Sequence, residues 1–380
     1  MKIQFIINSL EGGGAERVTC TLCRHFDRIG HEVRVVTLHG GKVAYELPPT
    51  VRVDSLQSQR LMRGLGRLAA LPIVAAELAA YLAGAKPDVA ISLLTRSNLA
   101  HVMTRRFGNK APIYISERVD AEAEYVNAKA PLGWMLKSLY PKADHVVAIS
   151  EGVRISLGQM GVPLDLVTTI HNPQDLARIR SDAAVGRLAR PEGGPFRIVM
   201  AGRLTRQKDY PTMLDALAIL KSREKNVRLI VLGDGEDRAA LEAQARALGV
   251  ASMIDWLGWS KDVYTIMGSC DAFAFTSIYE GFGNVLVEAM AAGLPSVTTD
   301  CPSGPAEIVA NGKYGMLVPM RDPTAIANAF DTLISDRAVY DDYQARAREG
   351  ATRFDVTTVA EKYLEVLRGE KSRNRLVDVA

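Results

Sequence analysis

The chain has 380 residues, more than one ordinary hydrophobic core holds, so two domains are expected. Apolar residues make up 48% of it and charged residues 23%, a composition typical of a folded globular protein, which excludes an intrinsically disordered chain. The net charge of +3 gives no electrostatic support to nucleic-acid binding, and four cysteines without a recognisable signal peptide predict a cytoplasmic location.

The N-terminal half alternates short apolar strands with helices. Uninterrupted apolar strands separated by helices predict a parallel sheet that is covered on both faces. The series ends near Asn172 and Pro173, so residues 1–175 are predicted to form a first Rossmann-like domain. Its strands are predicted in the segments KIQFIINSL, HEVRVVTLH, DVAISLL, PIYISE, HVVAIS and LVTTIHN.

A glycine-rich loop, Gly12 to Gly14, follows the first of these strands and precedes a helix. Glycine lets the backbone approach a ligand closely, and the amides and dipole of a helix N-terminus favour an anion. The spacing does not match the dinucleotide-binding fingerprint G-x-G-x-x-G. The loop therefore fits an anion site and equally a plain strand-to-helix turn.

Two segments of the first domain have the pattern of helices that bind membrane surfaces. In residues 57–70, three arginines share one helical face and leucines share the adjacent one. Residues 131–143 add a tryptophan and two lysines among leucines. One interpretation is peripheral docking on an anionic surface, the inner face of the cytoplasmic membrane. The alternative is that both segments simply cover the first sheet.

A polar, turn-rich stretch over residues 176–195 is predicted to be a linker, and a second series of strands starts directly after it. Residues 196–352 are therefore predicted to form a second Rossmann-like domain, followed by a helix within residues 353–380. Ligands of such sheets lie beyond the carboxyl ends of the strands, and the cleft that two such domains face is the expected site. The second series comprises the segments FRIVMAG, VRLIVLG, SMIDWLG, DAFAFTS, PSVTTD and GMLV.

Two cations follow the first strand of the second domain. Arg203 and Lys208 flank a short loop just before a predicted helix start at Asp209 to Pro211. Cations at the carboxyl end of a strand beside a helix start suit a phosphate or diphosphate. Two solvated surface cations are the alternative.

Two acids bracket the glycine-rich start of a later helix, in the segment YEGFGNVLVEAMAAG. Glu280 lies in the turn, and Glu288 lies one turn inside the helix and leans back toward the same space. Exposed amides there favour an anion, whereas carboxylates accept hydrogen bonds from hydroxyls. A ligand with both groups is a sugar nucleotide. The alternative is that both acids only stabilise the helix start.

These motifs together resemble glycosyltransferase family 4, retaining enzymes of the GT-B fold. The family signature E-x7-E appears as EGFGNVLVE, Glu280 to Glu288, and the resemblance covers nearly the whole chain. The supporting segments, in family order, are AISEGV, IHNP, GRLTRQKD, VLGDGEDRAALEAQARALGV, WLGW and AMAAGLPSVTTDCPSGPAEIV.

The resemblance implies a role for each matching residue. Glu280 would hold hydroxyls of the donor sugar, and Glu288 would hold the ribose hydroxyls. Arg203 and Lys208 would bind the diphosphate and stabilise its charge as it leaves, so that Arg203, Lys208 and Glu280 form the catalytic set. The remaining donor contacts would be Gly13, Gly14, Trp259, Ser260, Gly281, Phe282, Gly283, Asn284 and Val285. The resemblance also implies that the helix within residues 353–380 crosses back to the first domain.

One segment departs from the family pattern. Many members have a histidine where this chain reads YISERVD, with Ser116, Glu117 and Arg118. The sequence is similar in this respect to members that extend lipid-linked oligosaccharides with N-acetylhexosamines. Thr95, Glu117 and Arg118 are therefore the acceptor-side candidates, with a buried ion pair of Glu117 or Arg118 as the alternative.

The resemblance implies transfer of a hexosyl or N-acetylhexosaminyl group, with retention, from a nucleotide diphosphate sugar. A UDP-sugar is favoured over a GDP-sugar, and the acceptor is a hydroxyl of a glycan or lipid-linked glycan in envelope polysaccharide assembly. No cofactor and no metal are expected, because no D-x-D pair ends a strand and the cysteine pair Cys20 and Cys23 has no partner pair with zinc spacing. Two alternatives are a nucleotide-sugar epimerase of the same fold and a non-catalytic sugar-nucleotide-binding subunit.

Overall fold

The computed structural model describes residues 1–58, 69–120, 131–189 and 193–370. The chain divides into two compact units. Of the described residues, the first unit comprises those in the range 1–173 together with 356–370, and the second comprises those in the range 174–355. Each unit is a parallel α/β sandwich, which confirms the predicted fold class.

The central strands of the first unit are almost completely buried, as their uninterrupted apolar sequences predict. Its elements, in chain order, are β1 (Lys2–Ile7), α1 (Gly14–Arg28), β2 (Glu32–Thr37), β3 (Arg52–Ser55), α2 (Leu71–Ala85), β4 (Val89–Leu93), α3 (Thr95–Met103), β5 (Ile113–Glu117), α4 (Pro131–Leu139), β6 (His145–Ala148), α5 (Glu151–Gln159) and β7 (Val167–Thr169).

The seven described strands of this unit form one sheet in the order β3-β2-β1-β4-β5-β6-β7. Every adjacent pair is parallel, with Ile3 opposite Val33 and Ile91 opposite Tyr114. The carboxyl ends of β1, β4, β5, β6 and β7 therefore share one edge, where each strand runs into the loop before the next helix.

The second unit repeats this architecture. Its elements are α6 (Leu176–Leu188), β8 (Phe196–Ala201), α7 (Tyr210–Ser222), β9 (Val227–Leu232), α8 (Arg238–Ala247), β10 (Ile254–Gly258), α9 (Val263–Gly268), β11 (Ala272–Phe275), α10 (Asn284–Ala291), β12 (Ser296–Thr299), α11 (Pro305–Ile308), β13 (Met316–Val318), α12 (Pro323–Ser335) and α13 (Arg337–Ala351). Its six described strands form a parallel sheet in the order β10-β9-β8-β11-β12-β13.

The segment predicted as a linker, 176–195, differs from the structure over its first thirteen residues, which form helix α6 of the second unit. The Asp175 side chain caps this helix by accepting a hydrogen bond from the Arg178 amide at 3.1 Å. The helix then crosses α9 so closely that a Cβ at Gly186 would lie 1.8 Å from the Thr265 carbonyl oxygen. The sequence did not predict this helix contact, because glycines form it and the segment lacks the large apolar side chains that usually indicate a buried helix face.

The final described helix, α14 (Val356–Leu367), belongs to the first unit. It packs against α1, and Tyr363 and Leu364 join the core of that unit. The chain therefore crosses from one unit to the other twice, between Pro173 and Gln174 and between Asp355 and Val356.

The two predicted membrane-binding segments are only partly described. Residues 59–68 of the first segment lie outside the described residues. In the second segment, Trp134 is 72% exposed, whereas Leu136 and Leu139 are buried. Within the described part of the chain, no helix has the length and apolar character needed to span a membrane.

Candidate functional site

The two predicted acids of the second unit lie on the loop and helix that follow β11. Glu280 is 8% exposed and Glu288 is 1% exposed, on the second turn of α10. The Glu280 carboxylate accepts a hydrogen bond from the Ser277 hydroxyl at 2.7 Å. The same oxygen, Oε1, forms an ion pair with the Lys208 ammonium group. The structure thus brings Lys208 and Glu280 into direct contact, which the sequence did not predict.

Hydrogen bonds between two loops place Lys208 against Glu280. The Thr276 hydroxyl donates to the Lys208 carbonyl at 2.8 Å, and the Ile278 amide donates to the Gln207 carbonyl at 2.9 Å. In return, the Gln207 side chain donates to the Tyr279 carbonyl at 2.9 Å. The loops after β8 and β11 are neighbours because those strands are adjacent in the sheet. The order of the strands in the sheet therefore brings Lys208 and Glu280 together, although they are 72 positions apart in the sequence.

The other predicted donor residues lie at the same edge of this sheet. Arg203 is exposed in the loop after β8. Trp259, just after β10, is 81% exposed, and the neighbouring Ser260 hydroxyl accepts a hydrogen bond from the Asp262 amide at 3.1 Å. Gly281 is half-buried, and Phe282 is buried beneath the start of α10.

A second loop, after β12, supports the turn that holds Glu280. The Glu280 amide donates to the Pro302 carbonyl at 3.3 Å. Gly304 has φ 100° and lies so close that a Cβ there would be 2.0 Å from the Phe282 carbonyl oxygen. Burial raises the pKa of the neighbouring Cys301 thiol to about 12, with a further contribution from the charge of Glu280. Sequence reasoning had not assigned this loop to the site, although its segment CPSGP contains the turn-forming residues.

Residues at the two chain crossings also contact the start of α10. The Phe354 ring packs edge-on against Phe282, with 5.4 Å between ring centroids. The Gln174 side chain donates to Asn284 Oδ1 at 3.2 Å, and the Gln174 amide donates to the Phe354 carbonyl at 2.8 Å. The glycine-rich turn is therefore held by residues next to both crossing points.

In the first unit, the predicted glycine loop begins α1. Gly13 is extended, with φ −179° and ψ 175°, and Gly14 is the exposed first residue of the helix. The Tyr45 hydroxyl donates to the Gly13 carbonyl at 3.1 Å and so fixes the loop. This places the Gly14 end of α1 at the carboxyl end of β1.

The three acceptor-side candidates meet at the carboxyl ends of β4 and β5. Glu117 is completely buried, and its carboxylate accepts from Thr95 Oγ1 at 3.1 Å and from the Tyr140 hydroxyl at 2.5 Å. The amides of Arg118 and Val119 donate to the same carboxylate at 2.8 and 3.3 Å. The Arg118 guanidinium instead donates to Ser116 Oγ and Asn172 Oδ1. The two charged side chains therefore have separate partners rather than forming the alternative ion pair with each other.

A buried polar chain supports Glu117 from behind, and sequence reasoning missed it. Asn98 donates to the Tyr140 hydroxyl and to the Ser116 carbonyl, both at 2.9 Å, and accepts from Ser92 at the same distance. His101 lies 3.3 Å from the Ser92 hydroxyl, and burial lowers its pKa to about 3, so its imidazole is neutral. The polar residues on successive turns of α3, Thr95, Asn98 and His101, were the available sequence signal for these hydrogen bonds.

Within residues 1–58, 69–120, 131–189 and 193–370, no three His, Cys, Asp or Glu side chains converge as metal ligands would. Cys20 and Cys23 are buried, and burial raises the pKa of both thiols.

Two Rossmann-like units with these strand orders define the GT-B class of folds. The Anabaena protein HepE, solved in complex with UDP, superposes with a TM-score of 0.82 at 24% identity, over 97% of this chain and 100% of that one. The lipopolysaccharide outer core galactosyltransferase WaaB superposes with a TM-score of 0.73 at 21% identity, over 97% and 100% of the two chains. These similarities confirm the predicted GT-B fold.

Two family profiles match the chain, one for each unit. "Glycosyl transferase 4-like domain" matches residues 13–173, and "Glycosyl transferases group 1" matches residues 188–354. Together they span most of the chain, which belongs to this family of glycosyltransferases.

Curated relatives align over nearly the whole chain. A Campylobacter jejuni N-acetylgalactosamine-N,N'-diacetylbacillosaminyl-diphospho-undecaprenol 4-alpha-N-acetylgalactosaminyltransferase is 28% identical over 97% of this chain and 100% of its own length. A second enzyme of that organism, an alpha-1,4-N-acetyl-D-galactosaminyltransferase acting on a diNAcBac-PP-undecaprenol glycan, is 25% identical over 97% of this chain and 98% of its own length.

Proposed function

We propose that the protein transfers a sugar, with retention, from a nucleotide diphosphate sugar to a hydroxyl of a glycan or lipid-linked glycan. The observation that carries this proposal is the Lys208–Glu280–Ser277 cluster beside the N-terminus of α10, in a glycosyltransferase of GT-B fold. A cation, a carboxylate and the start of a helix fit a ligand that combines phosphates with hydroxyls. UDP is the favoured nucleotide, since the similar HepE protein was solved with UDP.

In this proposal, donor hydroxyls bind the two acids. Glu280 orients the donor sugar. Lys208, which forms an ion pair with Glu280, binds the diphosphate of the donor. Glu288 accepts from the ribose hydroxyls, and the backbone beside Trp259 contacts the base. Because both acids serve hydroxyls, they are not the acid and nucleophile of a glycosidase.

The rate enhancement comes from stabilising the leaving diphosphate. Negative charge grows on the diphosphate as the glycosidic bond breaks, and Lys208, Arg203 and the amides at the start of α10 are positioned to stabilise it. Preorganised donors of this kind are most effective where water is excluded, as around the largely buried Lys208–Glu280 pair. These cations supply the positive charge without a metal ion, and the departing phosphate accepts the proton of the acceptor hydroxyl.

The proposed acceptor is a lipid-linked glycan, by similarity to the two Campylobacter enzymes, and the proposed sugar is an N-acetylhexosamine. Trp134 and Lys137 are exposed on α4, and Lys142 is exposed just after it, which supports docking of the first unit on an anionic membrane surface. The protein would then work as a peripheral enzyme on the cytoplasmic side of the membrane.

A thermal-shift panel of nucleotide sugars tests the donor site. UDP-sugars should raise the melting temperature of the wild-type protein through mass action, and the best sugar identifies the donor. Glu288→Gln keeps the buried volume but weakens acceptance from the ribose, so its shift should fall. Glu361→Gln, on the exposed face of α14, is the matched control and should behave as wild type.

Two outcomes would contradict the proposal. No shift with any nucleotide sugar would rule out the donor site, and an undiminished shift for Glu288→Gln would rule out its ribose role. Product analysis separates the rivals: an epimerase converts the donor without an acceptor, and a non-catalytic subunit binds the donor without consuming it.

A further inference from the structure

Arg118 is a buried cation whose partners are neutral. It follows β5 directly, and 6% of its surface is exposed. Its guanidinium donates to the Ser116 hydroxyl at 3.3 Å and to the Asn172 carboxamide oxygen. Across the described residues these two oxygens are its side-chain partners, so most of its N–H donors are unused.

The neighbouring carboxylate does not neutralise this charge. Glu117 is occupied by Thr95, by Tyr140 and by two backbone amides. Burial raises the pKa of Glu117, and the groups that oppose the rise are those same hydrogen-bond donors, not the guanidinium of Arg118. Among the described residues, the Arg118 charge therefore has no counter-charge, an arrangement that is costly for a buried group and that indicates a ligand supplying the missing negative charge.

The position of the guanidinium fits a ligand site. Ser116 lies on β5 and Asn172 follows β7, so the guanidinium spans the carboxyl end of β6, which lies between them. Helix α5 begins there, at Glu151, with the positive end of its dipole. Ligands of doubly wound sheets bind at this edge.

The adjacent turn is strained and fixed. Leu94, between β4 and α3, has φ 76°, a conformation that L-residues rarely adopt. Its amide donates to the Ser116 carbonyl at 3.3 Å, and the next residue, Thr95, is tied to Glu117. Strain of this kind is typical of functional sites, and Glu117 here is the positioning residue that holds the turn.

We propose that Arg118 anchors a phosphate-binding subsite at the carboxyl edge of the first unit. A guanidinium forms paired, charge-assisted hydrogen bonds with phosphate oxygens, and burial strengthens them. The phosphate has two sources, the diphosphate of a lipid-linked acceptor or that of the donor nucleotide. The assignment of either source rests on the proposed function, whereas phosphate binding itself does not.

Inorganic pyrophosphate is the probe, measured by isothermal titration calorimetry with and without saturating UDP. Wild-type protein should bind it, and Arg118→Gln should weaken binding at least about 10-fold, the loss of one charge-assisted contact. Arg118→Lys keeps the positive charge but loses the paired N–H donors of the guanidinium. Its pyrophosphate affinity should therefore lie between those of wild type and Arg118→Gln. Arg105→Gln, at a surface arginine already paired with Asp144, is the control and should bind as wild type.

The UDP arm distinguishes the two sources. Pyrophosphate binding that depends on Arg118 and persists in saturating UDP assigns the subsite to the acceptor. Competition with UDP, together with weaker UDP binding by Arg118→Gln, assigns it to the donor.

A structural role gives a different result. If Arg118→Gln and Arg118→Lys lower the melting temperature but leave pyrophosphate and UDP affinity unchanged, the proposal is overturned. The calorimetry measures no sugar transfer, so a negative result overturns the phosphate subsite without contradicting the proposed glycosyltransferase function. A negative nucleotide-sugar panel would contradict the proposed function without deciding whether Arg118 binds pyrophosphate.

Discussion

Gly304 offers a direct test of whether the glycine-rich turn is the donor site, because it supports that turn without belonging to it. Its φ of 100° favours glycine, and a Cβ would lie 2.0 Å from the Phe282 carbonyl oxygen. Real Cβ atoms essentially never approach within 3.0 Å of a neighbouring heavy atom, so Gly304→Ala must displace the turn by about 1 Å.

Gly304→Ala should affect both stability and turnover. The positive φ alone costs an alanine about 1–3 kcal/mol of stability. The displaced turn carries Glu280 and leads into α10, and a misplacement of about 1 Å lowers turnover about 100-fold where geometry matters. Gly304→Ala should therefore lose both stability and donor turnover.

Gly312→Ala is the matched control. Gly312 has φ 99°, nearly the same as Gly304, but a Cβ there would meet its nearest neighbour at 4.0 Å. In urea unfolding it should lose only the stability that the positive φ costs, and it should keep wild-type UDP affinity and turnover. The comparison separates backbone strain from displacement of the turn.

The assays are calorimetric UDP binding and the rate of UDP release with donor and acceptor present, at a temperature where both variants are folded by circular dichroism. If Gly304→Ala binds UDP and turns over like Gly312→Ala, the reasoning is refuted, and the turn after β11 does not shape the donor site.

Two further predictions concern buried charges. Lys208→Met should lower turnover about 100- to 1,000-fold, the cost of one preorganised donor, while EDTA leaves wild-type turnover unchanged. Loss of activity in EDTA that a divalent ion restores would show that the positive charge comes from a metal. Burial raises the pKa of Glu117 above its ordinary value of 4.5, so the folded state keeps this proton to a higher pH than the unfolded state does. The stability of the wild-type protein should therefore fall as pH rises from about 4.5 through the raised pKa. Glu117→Gln should lack this slope in urea unfolding at graded pH, and parallel curves for both proteins would contradict the assignment.

The sequence alone predicted the fold class well, for a physical reason. Buried parallel strands are apolar without interruption, and all six segments predicted in each half contain a strand of the structure. Strand β3 was missed because Arg52 and Asp54 give it a polar sequence at the sheet edge. Helix α6 was assigned to a linker because its contact with α9 depends on close approach at glycines rather than on apolar side chains.

The sequence predicted which residues belong to the candidate site but not which of them contact one another. Motif spacing named Lys208 and Glu280 separately, yet their ion pair depends on β8 and β11 being neighbours, which local sequence does not encode. The contacts of Glu117 with Tyr140 likewise join a strand to the end of a later helix. Pairings across long sequence separations follow from topology, so only the structure provides them.

The contacts at the two chain crossings determine where this protein can be cut for domain exchange. Gln174 and Phe354 contact each other and the junction between the glycine-rich turn and α10. A chimera joined at the sequence-derived boundaries, after residue 175 and after residue 352, would take both residues from the wrong parent. Joints between Pro173 and Gln174 and between Asp355 and Val356 keep them with the turn, so a transplanted second unit would carry the contacts that support the turn of the proposed donor site.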